Sequence, residues 1–150
     1  MAQHGFAITT NVDANGKHSL SSRFSYGPVD QAGDDALRNV TGSGDATDIA
    51  DAGFANVVID SLNNGKALPG NVYTSVINAP DATTEAVGNA IIGNDDYETV
   101  PALQPGPGAN SNSASVLLGQ MAAGIAGNTF AQPAGANLPG AGDANNVEVN

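Results

Sequence analysis

The capacity for chemistry in this chain is concentrated at two histidines and one serine-rich helix start. His4 stands near the beginning, His18 follows fourteen residues later, and Ser111 lies in Asn110-Ser111-Asn112-Ser113, just ahead of the apolar run Val116-Leu117-Leu118. A serine in the first turn of a helix sits beside backbone N–H groups that lack intrahelical acceptors, at the positive end of the helix dipole. An imidazole within reach could take its proton while those N–H groups hold the resulting oxyanion. The same residues suit a structural role, because Ser and Asn at a helix start accept the first free N–H groups. Both readings of Ser111, nucleophile and cap, stand at this level. The chain has no cysteine, which removes a thiolate nucleophile, a disulfide framework and any Cys-type zinc site.

A serine–histidine pair calls for a third group that orients the imidazole. Residues 4–27 predict a β-hairpin, with Asp13-Ala14-Asn15-Gly16 as a turn in which Asn-Gly supplies the positive φ. A turn centred on Ala14-Asn15 puts Ser25 opposite His4, or Gly27 if the turn shifts by one. His18 would face Asn11, roughly 23 Å along the strand from His4 at ~3.3 Å per residue. His18 is therefore expected at the surface, and Ser25 is the candidate third residue beside His4 and Ser111. Asn110, Asn112 and Tyr97 flank the pair as candidate binding residues, although Tyr26 and Tyr97 also read as ordinary strand-face aromatics. Asp13-x-Asn15-Gly16 has the start of a calcium loop but lacks the later carboxylate at the required spacing, so no metal site is expected.

The elements that must position these groups read as follows. Residues 28–53 are rich in Gly, Asp and Ala and predict a long loop with one short helical turn, part of an insertion over 28–70. Its aspartates (30, 34, 35, 45, 48, 51) read as a solvated face rather than a cation site. Residues 54–60 are a strand or a short helix, and 71–78 alternate as a strand. A helix is expected over 81–92 with Asp81 as N-cap, then an extended segment from Tyr97 that contains Pro101, then a helix over 113–125. One domain is expected over 1–130, followed by a Gly/Ala/Asn/Pro-rich tail at 131–150. The fold class is α+β: a small antiparallel sheet with an N-terminal hairpin packed against two helices.

That order resembles the circularly permuted branch of the NlpC/P60 papain-like superfamily. His4-Gly5-Phe6-Ala7-Ile8 is similar to the strand that opens such domains, and Phe24-Ser25-Tyr26-Gly27-Pro28 to the end of the second strand. Pro105-Gly106-Pro107 followed by Asn110-Ser111-Asn112-Ser113 resembles a bacterial subset with a Pro-Gly-Pro-Asn-Ser-Asn motif. The resemblance spans about residues 4–125 and is most specific over 105–118. It implies a hydrolase or acyltransferase-type domain acting on an amide or ester, with Ser111 as nucleophile and His4 as base. A peptide, cell-wall or lipid substrate and no cofactor are the corresponding expectations. Two positions depart from the family: Ser111 stands where it has Cys, and Ala114 where it has an aromatic. A catalytically silent version of the fold, used as a binding or structural module, is the alternative. An unrelated acidic, cation-binding β-rich protein is the third.

Charge narrows the partners. The net charge is −11 and the four basic residues, Lys17, Arg23, Arg38 and Lys66, all lie in the first half. Nucleic acid and anionic membrane surfaces are thus poor partners. No segment approaches the ~20 apolar residues of a membrane span. The first ten residues lack a basic start and an apolar run, so export would be expected by another route or within a larger protein.

Overall fold

The computed structural model describes residues 4–31, 34–98 and 108–150. Among the described residues, three α-helices, a 3-10 helix and three two-stranded antiparallel sheets make up an α+β fold. The first sheet is the expected hairpin, β1 (Ala7–Val12) with β2 (His18–Phe24). Its turn forms because the Asp13 carboxylate accepts the N–H groups of Asn15 and Lys17 at 2.8 and 2.9 Å, and Gly16 takes φ 80°. The register runs from Val12↔His18 to Ala7↔Phe24, with an irregularity between Thr9 and Thr10. It is displaced by two residues at Ala7 from the expected one, so the predicted pairing of His4 with Ser25 does not arise.

The region expected as insertion is structured. β3 (Tyr26–Gln31) pairs with β4 (Asp34–Asn39), and α1 (Ala46–Asn64) follows, so 54–60 is helix. Asp45 caps α1 by accepting the Asp48 N–H, and Gly65 ends it at φ 64°, where a residue with a Cβ would be strained. The buried face of α1 is Asp48, Asp51 and Ala55. Such a face carries no apolar stripe, which is why periodicity does not reveal this helix.

Residues 71–78 form no strand. Ile77 and Ala79 pack against the core, whereas Val76 is 83% exposed. α2 (Asp81–Ala90) starts where expected, but Pro80 is its N-cap and Asp81 lies in its first turn without a capping bond. Glu85 ties α2 to the hairpin by accepting hydroxyls of Thr9, Ser21 and Ser22, which hold its carboxyl below the usual range. β5 (Ile91–Gly93) follows, and α3 (Ser111–Ile125) begins two residues earlier than expected. The Pro101 segment and Pro105-Gly106-Pro107 lie outside the described residues.

The segment read as a tail is also built into the fold. A 3-10 helix (Ala141–Asn146) packs on α3, and β6 (Glu148–Val149) pairs with β5. Ala144 and Val147 are buried there, enough apolar surface to anchor an otherwise polar stretch. The core centres on Tyr26, Leu37 and Leu118, each with no exposed surface. Burying each leucine contributes roughly 1.5–3 kcal/mol. Ala114 and Ala122 let α3 approach closely, and the Tyr26 hydroxyl donates to the Gly88 carbonyl at 2.8 Å.

Candidate active site

α3 begins with a complete set of caps. The Asn110 side-chain carbonyl accepts the N–H groups of Asn112 and Ser113 at 3.0 and 3.2 Å, while Ser113 Oγ accepts the Asn110 N–H at 3.0 Å. This reciprocal capping box leaves Ser111, the first helical residue, with no capping duty. The cap expected of Ser111 is carried by Asn110 and Ser113.

The opposite side of that turn grips the chain beside His4. Asn112 Oδ1 accepts the Gly5 N–H at 2.6 Å, and Ser115 Oγ donates to the Gly5 carbonyl at 2.7 Å. Asn112 and Ser115, three apart, share one helix face and clamp both polar groups of one residue. A Cβ at Gly5 would sit 3.1 Å from Asn112 Oδ1 and 3.2 Å from Ser115 Cβ, so a side chain there would push the clamp apart by a few tenths of an ångström. Its consequence is that His4 Nδ1 lies 2.7 Å from Ser111 Oγ.

The third member comes from α1. Asp51, 1% exposed, places Oδ2 2.9 Å from His4 Nε2. An ionised carboxylate only accepts, so it draws the ring proton to Nε2 and leaves the Nδ1 lone pair for the Ser111 hydroxyl. The ring is turned end for end relative to the chymotrypsin-type triad, in which Nε2 faces the nucleophile, but the order serine–imidazole–carboxylate is the same. His4 remains 37% exposed, so its edge is reachable from solvent.

Asp51 depends on how α1 is docked. One turn earlier, Asp48 accepts the N–H groups of Gly42 and Gly44, both at 2.8 Å, and pairs with Arg23. Those two amides, then Arg23, hold its carboxyl below the usual range. Ser25, expected beside His4, belongs to this support instead. Its Oγ accepts from Arg23 Nε at 3.1 Å and its N–H donates to Thr41 Oγ1 at 2.9 Å. Ser25 therefore does not meet His4, whose ring is met instead by the Asp51 carboxylate. His18 stands apart from the chain of three: its Nδ1 meets Thr10 Oγ1 at 2.9 Å, and Asn63 brackets its backbone.

Tyr97 lies beside Ser111; burial raises its phenol pKa, and the Ser111 side chain opposes that rise. Asn110 and Asn112 flank Ser111 in sequence, and their side chains hold other parts of the chain. Asn110 and Asn112 each donate from Nδ2 to the Pro139 carbonyl, at 3.0 and 2.9 Å, and Ser113 Oγ donates to Gly140 O at 2.6 Å. The C-terminal segment is thus laced to the same turn.

A groove of about 930 Å³ reaches this site, with His4, Asp51 and Asn112 in its wall. Among the described residues no group of three or more His, Asp or Glu is placed to hold a metal ion, and no helix is long and apolar enough to cross a membrane. Asp51, missed at the level of sequence, had one available signal: Asp45 and Gly65 bracket residues 46–64 as caps do. No family model, curated protein or solved structure matches the chain.

Proposed function

We propose that this chain is a hydrolase or acyltransferase of papain-like arrangement acting on an ester or amide, with Ser111 as nucleophile, His4 as base and Asp51 as the residue that orients it. The observation that carries the proposal is the continuous hydrogen-bonded series Ser111–His4–Asp51, drawn from α3, the N-terminal segment and α1. Three residues from three elements do not fall into that order for capping alone, since α3 is capped by Asn110 and Ser113.

In this reading His4 Nδ1 takes the Ser111 proton as Oγ attacks the substrate carbonyl, and Asp51 stabilises the imidazolium. The oxyanion is met by the Ser111 N–H, which has no intrahelical acceptor, and by the Tyr97 hydroxyl. His4 then returns the proton to the leaving alcohol or amine. Water or an acceptor hydroxyl, deprotonated by the same imidazole, releases the acyl group. General base catalysis contributes about 10²–10⁴-fold and each oxyanion donor about 10²–10³-fold.

The decisive experiment is labelling with a fluorophosphonate, with peptide mapping of the adduct. Modification of Ser111 in the wild type, lost in Ser111→Ala and in His4→Ala, is expected. A wild-type protein inert to the reagent, with normal melting behaviour, would instead favour the catalytically silent binding module.

A further inference from the structure

We infer that the groove beside His4 is the binding site for the extended acyl chain of an uncharged long-chain ester. This names the substrate class of the hydrolase proposed above and rests on that reading for its catalytic half. The first ground is geometry along α1. Asp51, which holds His4, begins a row that continues through Phe54, Val58 and Leu62, all of which line the groove. Residues at this three- and four-residue spacing share one face of a helix. From Asp51 to Leu62 the row spans about 16 Å at ~1.5 Å rise per residue, the length of an extended alkyl chain of about a dozen carbons.

The second ground is the exposure of that row. Phe54 is 41% and Leu62 53% exposed, on a helix whose buried face is Asp48, Asp51 and Ala55. The rest of the lining adds Tyr73, Phe130 and Leu138, interspersed with uncharged polar side chains such as Thr74 and Ser75 and with Asp81. Contiguous apolar surface leading away from polar reactive groups is the form of a ligand site rather than of chance exposure.

The third ground is charge. Among the described residues no lysine or arginine lines the groove. Arg23, Arg38 and Lys66 are engaged by Asp48, Asp95 and Asp60 respectively. At a net charge of −11 the chain offers nothing there to a phosphate headgroup or a free carboxylate. An uncharged ester, with its carbonyl at Ser111 and its alkyl chain along α1, satisfies all three. Attack by Ser111 Oγ forms the acyl–serine bond as the alcohol leaves with the proton from His4. Water then cleaves that bond, giving the long-chain acid and free Ser111.

The test uses the full chain and p-nitrophenyl esters of acetate, octanoate and dodecanoate. kcat/KM is expected to rise by about twofold to fourfold per methylene, since a fully buried CH₂ is worth about 0.8 kcal/mol. Val58→Trp, which narrows the groove, and Leu62→Glu, which places a charge at its far end on an exposed position, should each lower the dodecanoate-to-acetate ratio of kcat/KM by at least tenfold. In parallel, Ser111→Ala is titrated with laurdan, a neutral dodecanoyl fluorophore. A blue-shifted emission that Leu62→Glu weakens at least tenfold supports the groove whether or not the wild type cleaves esters. If laurdan binds but no ester is cleaved, the acyl-chain site stands and the hydrolase reading falls. Ester cleavage indifferent to chain length, with laurdan unbound, leaves the hydrolase standing and overturns the groove. A concentration-dependent dimer in sedimentation that Leu62→Glu disperses would assign the groove to a second copy and also overturn it.

Discussion

The side-chain carbonyl of Asn112 accepts the Gly5 N–H at 2.6 Å, joining the residue after Ser111 to the residue after His4. His4 and Ser111 are thus held by their immediate neighbours, and a helix turn sets the distance between segments 107 residues apart. In the proposed mechanism a pair arranged this way would need little reorganisation for proton transfer.

Removing that tie should affect stability and reactivity together. Asn112→Ala loses the bonds to Gly5 and to Pro139, at an expected cost of about 1–3 kcal/mol with the Gly5 N–H left without its acceptor. Urea unfolding measures the first effect and the rate of fluorophosphonate labelling the second. A variant that loses stability but labels at the wild-type rate would show that Ser115 alone holds His4 in place.

Asp51→Asn separates orientation from folding. The substitution keeps the buried volume but lets an amide N–H face Nε2, which favours the tautomer with the proton on Nδ1, where it can no longer accept from Ser111. Ester hydrolysis should fall by about 10²–10⁴-fold while the melting temperature changes by only a few degrees. Activity within a few-fold of wild type would remove Asp51 from the mechanism.

Acid should loosen the seat of α1. Asp48 has its native pKa lowered by the Gly42 and Gly44 amides and by Arg23. Above the unfolded value, about 4, both states are ionised and the stabilisation is fully present. As pH falls below that value the unfolded chain takes up its proton first, so stability declines towards the lower native pKa. Melting temperatures between pH 6 and 3 should therefore drop, and drop less steeply from pH 4 downwards in Asp48→Asn. An unchanged slope in that variant would assign the acid sensitivity elsewhere, Glu85 being the next site to substitute.

The alkaline side should report on Tyr26. Burial raises its native pKa, so at pH above about 10 the unfolded chain ionises while the folded one keeps its proton. Stability is full below that value and falls as pH rises. Tyr26→Phe should lower stability at pH 7 by about 0.5–1.5 kcal/mol, through the lost bond to Gly88, yet flatten the decline between pH 9 and 11. Parallel declines in the two proteins would count against a buried, protonated Tyr26.

Local signals made much of the frame legible. The hairpin follows from Asp13-Ala14-Asn15-Gly16, α2 from its apolar spacing, and α3 from the Asn/Ser cluster ahead of Val116-Leu117-Leu118, each within a dozen residues of sequence. His4 and Ser111 were also visible as residue types able to act together. Ser25 was misplaced because a shift at the turn and an irregularity at Thr9/Thr10 move the ladder by two residues, which no local pattern announces.

What tertiary structure alone decided is the third member of the site and the use of the chain's end. Asp51 meets His4 only because Asp48, on the same face of α1, is seated against Arg23 and two loop amides. The apolar row of α1, Phe54, Val58 and Leu62, stays exposed or half-buried while carboxylates are buried, so its apolar period does not reveal how the helix docks and long-range pairing settles its position. Likewise residues 131–150 read as a tail because they are poor in apolar residues. Their carbonyls at Pro139 and Gly140 are recruited by Asn110, Asn112 and Ser113, polar partners that become neighbours only once the chain has folded. Sequence by itself determined which residues could do chemistry at the start of α3; the packing of α1 and of the C-terminal segment decided which of them meet.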